Sequence, residues 1–344
     1  MSDWPMFHRD PSRTGFVADE LDQPQRVKWL LETGDRIFYA SPVVADGLCI
    51  CGSRDGNLYA VDSLSGKLRW VSRTSDEGDL SVSAAESTVF AGSNRDGCLR
   101  ALAADDGNAY WTFQTLGPVF ASPLEVDDKV LIGSSDGHLY ALDRTDGSLL
   151  WKHDCDGELR YAATLAGAVV CTGASDGYLH AVELTDGQCR WRFKTQGPLN
   201  CSPAVGGEIV YTGSDDHHLY AVELETGKLA WQFRTEGPVR CTPALAGKIL
   251  AAGSLDGRCY GLDAETGRQL WSYRTNDAVY SSPAIAGKTV VFGSMDGYLY
   301  GLELETGRLT WRFEIGCDII SSPAIAGGMV YVGAENGRVY CLGA

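Results

Sequence analysis

Eight positions in this 344-residue chain change their chemistry while the residues around them stay nearly constant. Each lies two residues before the Ser of a recurring Ser-Pro pair, or before its equivalent. They are Tyr39, Asp79, Phe120, Arg160, Asn200, Arg240, Tyr280 and Ile320. Arg160 and Arg240 flank Asn200, and Tyr161 adds a further aromatic beside Arg160. Guanidinium and amide donors next to aromatic walls suit an anionic, partly aromatic small molecule or a peptide carboxylate. If such a site turned its ligand over, Arg160 and Arg240 would hold the anion and Asp79, Tyr39 or Tyr280 would serve as acid or base. The competing reading is a solvated rim in which Asp79 partly offsets the arginines. A second cluster, Asp215-Asp216-His217-His218, mixes carboxylate and imidazole. Neighbours on one tight turn rarely converge on an ion, so the expectation there is a variant turn and no metal. His138 and His180 stand where other repeats carry Tyr or Arg, and they read as surface.

What must position these residues is a repeat. Tryptophans recur at Trp29, Trp70, Trp111, Trp151, Trp191, Trp231, Trp271 and Trp311, at a spacing of 40 or 41 residues. A fixed period in this range marks a repeat architecture. Within one period the sequence SSPAIAGKTVVFGSMDGYLYGLELETGRLTW contains four short apolar or β-branched runs. They are separated by Gly287, Asp296-Gly297 and Thr306-Gly307, which is hairpin chemistry. No sustained helical period appears. Four strands per repeat make one propeller blade. Eight Asp-Gly turns or variants of it, from Asp55-Gly56 to Asn336-Gly337, count eight blades.

The last repeat stops at Ala344 after three strands, and its missing Trp strand stands at the other end, around Trp29. The expectation is therefore all-β: an eight-bladed β-propeller of four-stranded antiparallel blades, closed by the N-terminal strand. As one domain over 1–344, it has a lead-in at 1–24 with Trp4 and Phe7 packed on one face, and a closing strand at 25–32. Blades follow at 36–72, 77–113, 118–153, 158–193, 198–233, 238–273, 278–313 and 318–344. Blades two and four lack the Ser-Pro pair and blades five to eight are close copies, so function is sought where the template is broken. The loops before each first strand share a face with the Asp-Gly turns. There the variable residues should ring the mouth of an axial channel, while Phe38, Val119, Leu159, Leu199, Val239, Val279 and Ile319 pack between blades.

The repeat, with its W-x-F-x-T opening, its Ser-Ser-Pro, its Gly-Ser-x-Asp-Gly and its Thr-Gly turn, resembles the pyrroloquinoline-quinone-type propeller family. The opening DWPMFHRDPSRTG is similar to the usual lead-in of such domains. The resemblance spans essentially the whole chain and implies the fold. The family includes quinone-dependent dehydrogenases, an outer-membrane assembly lipoprotein and kinase sensor domains, so it implies no single activity. The dehydrogenases carry an adjacent cysteine pair above the cofactor and a stacking Trp below it. Here no two cysteines are adjacent, and every Trp but Trp4 belongs to the repeat. Quinone-dependent dehydrogenase activity is not expected, and no cofactor residue is carried over.

A net charge of −16 argues against nucleic acid and against an anionic membrane surface. The first 20 residues have no apolar targeting segment, so a complete chain is expected to be cytoplasmic. Eleven cysteines, mostly at strand positions and with no CxxC, read as small core residues of a reducing compartment. The first expectation is a monomeric, non-catalytic binding scaffold that needs no cofactor. It would present its variable face to a protein, a peptide or an anionic small molecule. The alternative is a cofactor-independent cyclase, lyase or isomerase acting in the axial funnel.

Overall fold

The computed structural model describes residues 3–74 and 76–344. Its strands form eight sheets built on four-stranded antiparallel blades, seven of them from four consecutive strands. The last sheet is completed from the other end of the chain. Strand Arg26–Glu32 pairs antiparallel with Arg338–Gly343, placing Trp29 opposite Cys341. The ring is thus closed by the N-terminal strand, as the repeat count requires.

The Trp beat has a direct physical basis. Trp191 donates its indole N–H to the Leu224 carbonyl of the next blade at 2.8 Å. Its ring lies against Gly227, where an added Cβ would stand 2.7 Å from the indole. Gly227 also has φ +68, so glycine serves both the turn and the Trp seat. The same dock joins Trp29 to Ser63 and Trp271 to Leu304.

A second glycine, at the end of each second strand, admits an apolar side chain of the following blade. Gly213 faces Val239, Gly253 faces Val279 and Gly133 faces Leu159. The same slot is filled by Leu80 in blade two and by Ile37 in blade one. Ile37 is fully buried, so it takes the role expected of Phe38. Blade two departs further. Without its Ser-Pro pair the first strand runs straight over Leu80–Ala85, against three residues in the other blades.

The lead-in does more than pack on a face. Trp4 pairs with Val44 and is buried. The Pro5 carbonyl then accepts from Ala84 N–H, and those of Pro11, Ser12, Thr14 and Gly15 accept from Leu165, Val205, Leu245 and Ile285. Phe16–Val17 finish as a parallel strand on Ala284–Ala286. The segment is a strap running round the inner strands. Arg13 is fully buried in it and is satisfied by the carbonyls of Phe7 and Ala163, the latter at 3.1 Å.

Candidate functional site

Where the first strands begin, their loops converge on an axial cavity of about 90 Å³, several times the roughly 10–15 Å³ that one water needs. Tyr39, Phe120, Arg160, Tyr161, Arg240, Tyr280 and Ile320 line it. Asp79 and Asn200 do not.

The reason for Asp79 lies in the blade-two geometry. Since Leu80 fills the interblade slot, the residue that follows it toward the axis is Ser81, whose hydroxyl is spent on the Ala121 carbonyl at 2.7 Å. Asp79 falls one step before the slot, in a separate groove with Arg54 and Arg95. There burial raises its carboxyl above the usual range, against a hydrogen bond from Asn94 at 3.0 Å. Asn200 turns away to Asp215 at 2.7 Å.

Both arginines arrive with a partner. Arg240 clamps Asp215 through Nε and Nη2, at 2.8 and 3.0 Å, which raises the guanidinium pKa. Its Nη1 has no hydrogen bond among the described residues. Arg160 uses Nε on Glu158 at 2.6 Å and stacks its guanidinium 5.5 Å from the centre of Phe120, and its terminal nitrogens have no hydrogen bond among the described residues. The aromatic wall is continuous: Tyr39 lies edge-on to Phe120 with ring centres 6.2 Å apart, and 6.3 Å from Tyr280. The hydroxyls of Tyr161 and Tyr280 meet at 3.1 Å. Burial pushes the Tyr39 and Tyr161 phenols up, so both stay protonated.

The cavity also contains a feature that sequence reasoning passed over. The Ser of each Ser-Pro pair, treated as scaffold, lines the pocket as Ser41, Ser122, Ser202, Ser282 and Ser322, with Thr242 in the same place. Neighbouring blades link these groups in relay. Ser202 N–H donates to the Thr242 hydroxyl at 3.1 Å, Thr242 N–H to Ser282 at 2.9 Å, Ser282 N–H to Ser322 at 3.0 Å, and Ser322 N–H to Ser41 at 3.0 Å. Each of these four hydroxyls therefore accepts from backbone and keeps its own proton to give. Ser202 Oγ is buried without any partner. The signal was present in the sequence as the repeated Ser itself, found in five blades with Thr in a sixth: a residue that recurs at one repeat position converges at the axis.

The remaining sequence candidates resolve differently. The 215–218 cluster does not converge: Asp215 holds Arg240, Asp216 accepts from Tyr220 at 2.8 Å, and His217 replaces the turn glycine at φ +70. His218 bonds back to the Asp216 carbonyl at 3.0 Å. His138 is half-buried, and His180 is fully buried rather than on the surface. It stands in the blade three to four interface, with its ring centre 5.4 Å from that of His153.

A family model described as beta-alanine-activating enzyme, beta-propeller, matches residues 126–344. No curated protein matches the sequence significantly. Among solved structures, the computationally designed Ika8 protein superposes with a TM-score of 0.81 at 20% identity, covering 91% of this chain and 98% of that one. BamB from Moraxella catarrhalis gives 0.79 at 20% identity, covering 93% and 97%. Quinohemoprotein alcohol dehydrogenase from Comamonas testosteroni gives 0.85 at 14% identity, covering 99% and 80%. Likeness at these identities is likeness of fold.

Proposed function

Because the chain belongs to the β-propeller family of the β-alanine-activating enzyme, we propose that it is a non-catalytic binding propeller whose axial pocket holds a small carboxylate-bearing molecule. The observation that carries this reading is the hydroxyl ring. Four of its members accept from the neighbouring backbone and so have protons left to give, which favours an acceptor in the pocket. Arg160 and Arg240 add charged donors at the same cavity.

The volume of about 90 Å³ favours a ligand of a few heavy atoms over a peptide or a protein segment. The chain's charge of −16 disfavours a bare anion, which the overall field repels. A zwitterion escapes that cost, and its ammonium can rest against Tyr39 and Tyr280 by cation–π attraction, worth about 0.5–2 kcal/mol. A small amino acid such as β-alanine, the compound in the family's name, meets both conditions.

Turnover has weaker support. Of the acid–base candidates, Asp79 lies outside the cavity, and burial holds the Tyr39 phenol too high to act as a base.

The test is calorimetric titration with β-alanine, with propionate as the analogue lacking the ammonium. The expected result is binding of β-alanine and at least tenfold weaker binding of propionate. Ser202→Ala and Arg160→Ala should each weaken β-alanine about tenfold, the size of one lost hydrogen bond to a charged group. Neither should lower the ligand-free melting temperature, since the Ser202 hydroxyl has no partner and Arg160 is half exposed. Absence of heat with both compounds, and of any melting shift, would sink the reading.

A further inference from the structure

Three departures from the repeat meet at one point between blades three and four. At four other interfaces the outer strand carries an aromatic that meets a Tyr of the next blade. Phe113 meets Tyr140, Phe193 meets Tyr220, Phe233 meets Tyr260 and Tyr273 meets Tyr300, with ring centres 5.4–5.6 Å apart. Here both partners are imidazoles, and His153 and His180 keep the same 5.4 Å separation. Two residues after the aromatic, Thr115, Thr195, Thr235 and Thr275 donate their hydroxyls to the preceding hairpin. At that position stands Cys155. The three ligand-capable atoms lie within 4.8 Å of one another, and no other group of three His, Cys, Asp or Glu does so among the described residues.

We infer that His153, His180 and Cys155 form a zinc-class metal site that replaces the aromatic interblade contact. This rests on different residues from the axial pocket and stands independently of it.

The donor set is two imidazoles and one thiol, which selects a borderline-soft transition ion over calcium or magnesium. The distance between His153 Nε2 and His180 Nδ1 is 3.3 Å. Two nitrogens on a tetrahedral zinc at about 2.0–2.1 Å stand about 3.3 Å apart, so this edge is already set. The His153 tautomer is set as well, because its Nδ1 donates to the Gly187 carbonyl at 3.1 Å and leaves Nε2 as the lone pair. Ligating imidazoles are normally oriented by such an outer hydrogen bond.

A second observation points to a cation. In the other blades the Tyr hydroxyl binds the hairpin Asp four residues earlier: Tyr140 to Asp136, Tyr260 to Asp256 and Tyr300 to Asp296, each at 2.7 Å. His180 makes no such bond, and Asp176 receives no such hydroxyl among the described residues. The substitution leaves a carboxylate beside the thiol without its usual donor. A divalent ion held by the three donor atoms would bring positive charge to this interface, taking the Cys155 proton to solvent on binding and leaving a fourth place for water.

The test is to strip the purified protein with a chelator and titrate it with Co²⁺ as a spectroscopic stand-in for zinc. The expected result is one equivalent bound, with a thiolate-to-cobalt charge-transfer band in the near ultraviolet and visible bands of tetrahedral intensity. Zinc should displace the cobalt and raise the melting temperature. The variants put back what other blades carry: Cys155→Thr should abolish the charge-transfer band, and His180→Tyr should weaken cobalt at least tenfold. Both should melt at or above the temperature of the apo wild type, which separates loss of metal from loss of fold. The exposed thiol of Cys189 is the control, and Cys189→Ser should change nothing. The inference is overturned if the charge-transfer band is absent at one equivalent. It is equally overturned if the band survives in Cys155→Thr but not in Cys189→Ser.

Discussion

Glu125 is the residue on which the solvent's pH should act most directly. It sits on an inner strand and is 7% exposed. One oxygen accepts from Ser83 at 2.9 Å and the other has no hydrogen bond. Burial raises its pKa to about 7, although Arg144 and Arg13 pull the other way. A carboxyl raised in the folded state is most favourable below its ordinary 4.5, and that stability is lost as pH rises through 7. Glu125→Gln, fixed in the neutral form, should therefore gain about 2–3 kcal/mol on the wild type between pH 5 and pH 8. Urea unfolding of both proteins at the two pH values measures it, and a constant difference would refute it. The difference between the proteins is the quantity to read, because His8 and His180 act with the opposite sign. Both are held neutral to about pH 4, so their stability is lost as pH falls below 6.5. Single residues were also where the sequence misled most. The variable position located six of its cavity residues because period alone sets the angle round the axis. It misplaced Asp79 because in blade two the slot residue is Leu80, after the variable position rather than before it, and that register is fixed by the contact of Leu80 with Gly52 of the preceding blade.

At the scale of the element, the glycines divide into two kinds that look alike in the sequence. Gly227 in a Thr-Gly turn and Gly247 in an Ala-Gly turn both have positive φ, +68 and +57. A Cβ at Gly227 would strike the Trp191 indole at 2.7 Å, whereas at Gly247 it would meet nothing within 4 Å. Asp46 and Asp127 already occupy the Gly247 position in other blades, at φ 49 and 51. Gly227→Ala should thus cost about 2–4 kcal/mol, from backbone strain together with displacement of the indole. Gly247→Asp should cost under about 1 kcal/mol, since the αL region is tolerated by Asp. Denaturant midpoints of the two variants would decide, and equal losses would remove the Trp seat as the explanation. The strand count, the hairpins and the Trp beat were legible because they are local or periodic. That the Thr-Gly turn is also a Trp seat was not, since seat and indole belong to different blades.

For the molecule as a whole, the chain's first 32 residues do two separable jobs. Residues 26–32 close the ring as the outer strand of the last blade, and Trp29 docks on Ser63 and Gly66 of the first. The strap from Trp4 to Val17 instead runs round the inside, and its Phe7 lines the axial pocket. The strap could not be read from the sequence: it is held largely by backbone pairs, which leave no side-chain pattern. Removing residues 1–20 should leave a closed ring that still melts cooperatively, at a lower temperature, with its axial pocket deprived of Phe7 and its β-alanine affinity reduced. Removing residues 1–32 should do something different in kind. It bares the edge Arg338–Gly343 and strips Trp29 from its dock, so the cooperative transition should give way to a broad one with aggregation. A synthetic peptide of residues 21–33, added to the longer truncation, should restore a sharp transition whose midpoint rises with peptide concentration, as binding linkage requires. Differential scanning calorimetry of the two truncations, with and without the peptide, separates the jobs. If both truncations melt alike, strap and closing strand are one cooperative unit and the division drawn from their pairing is wrong.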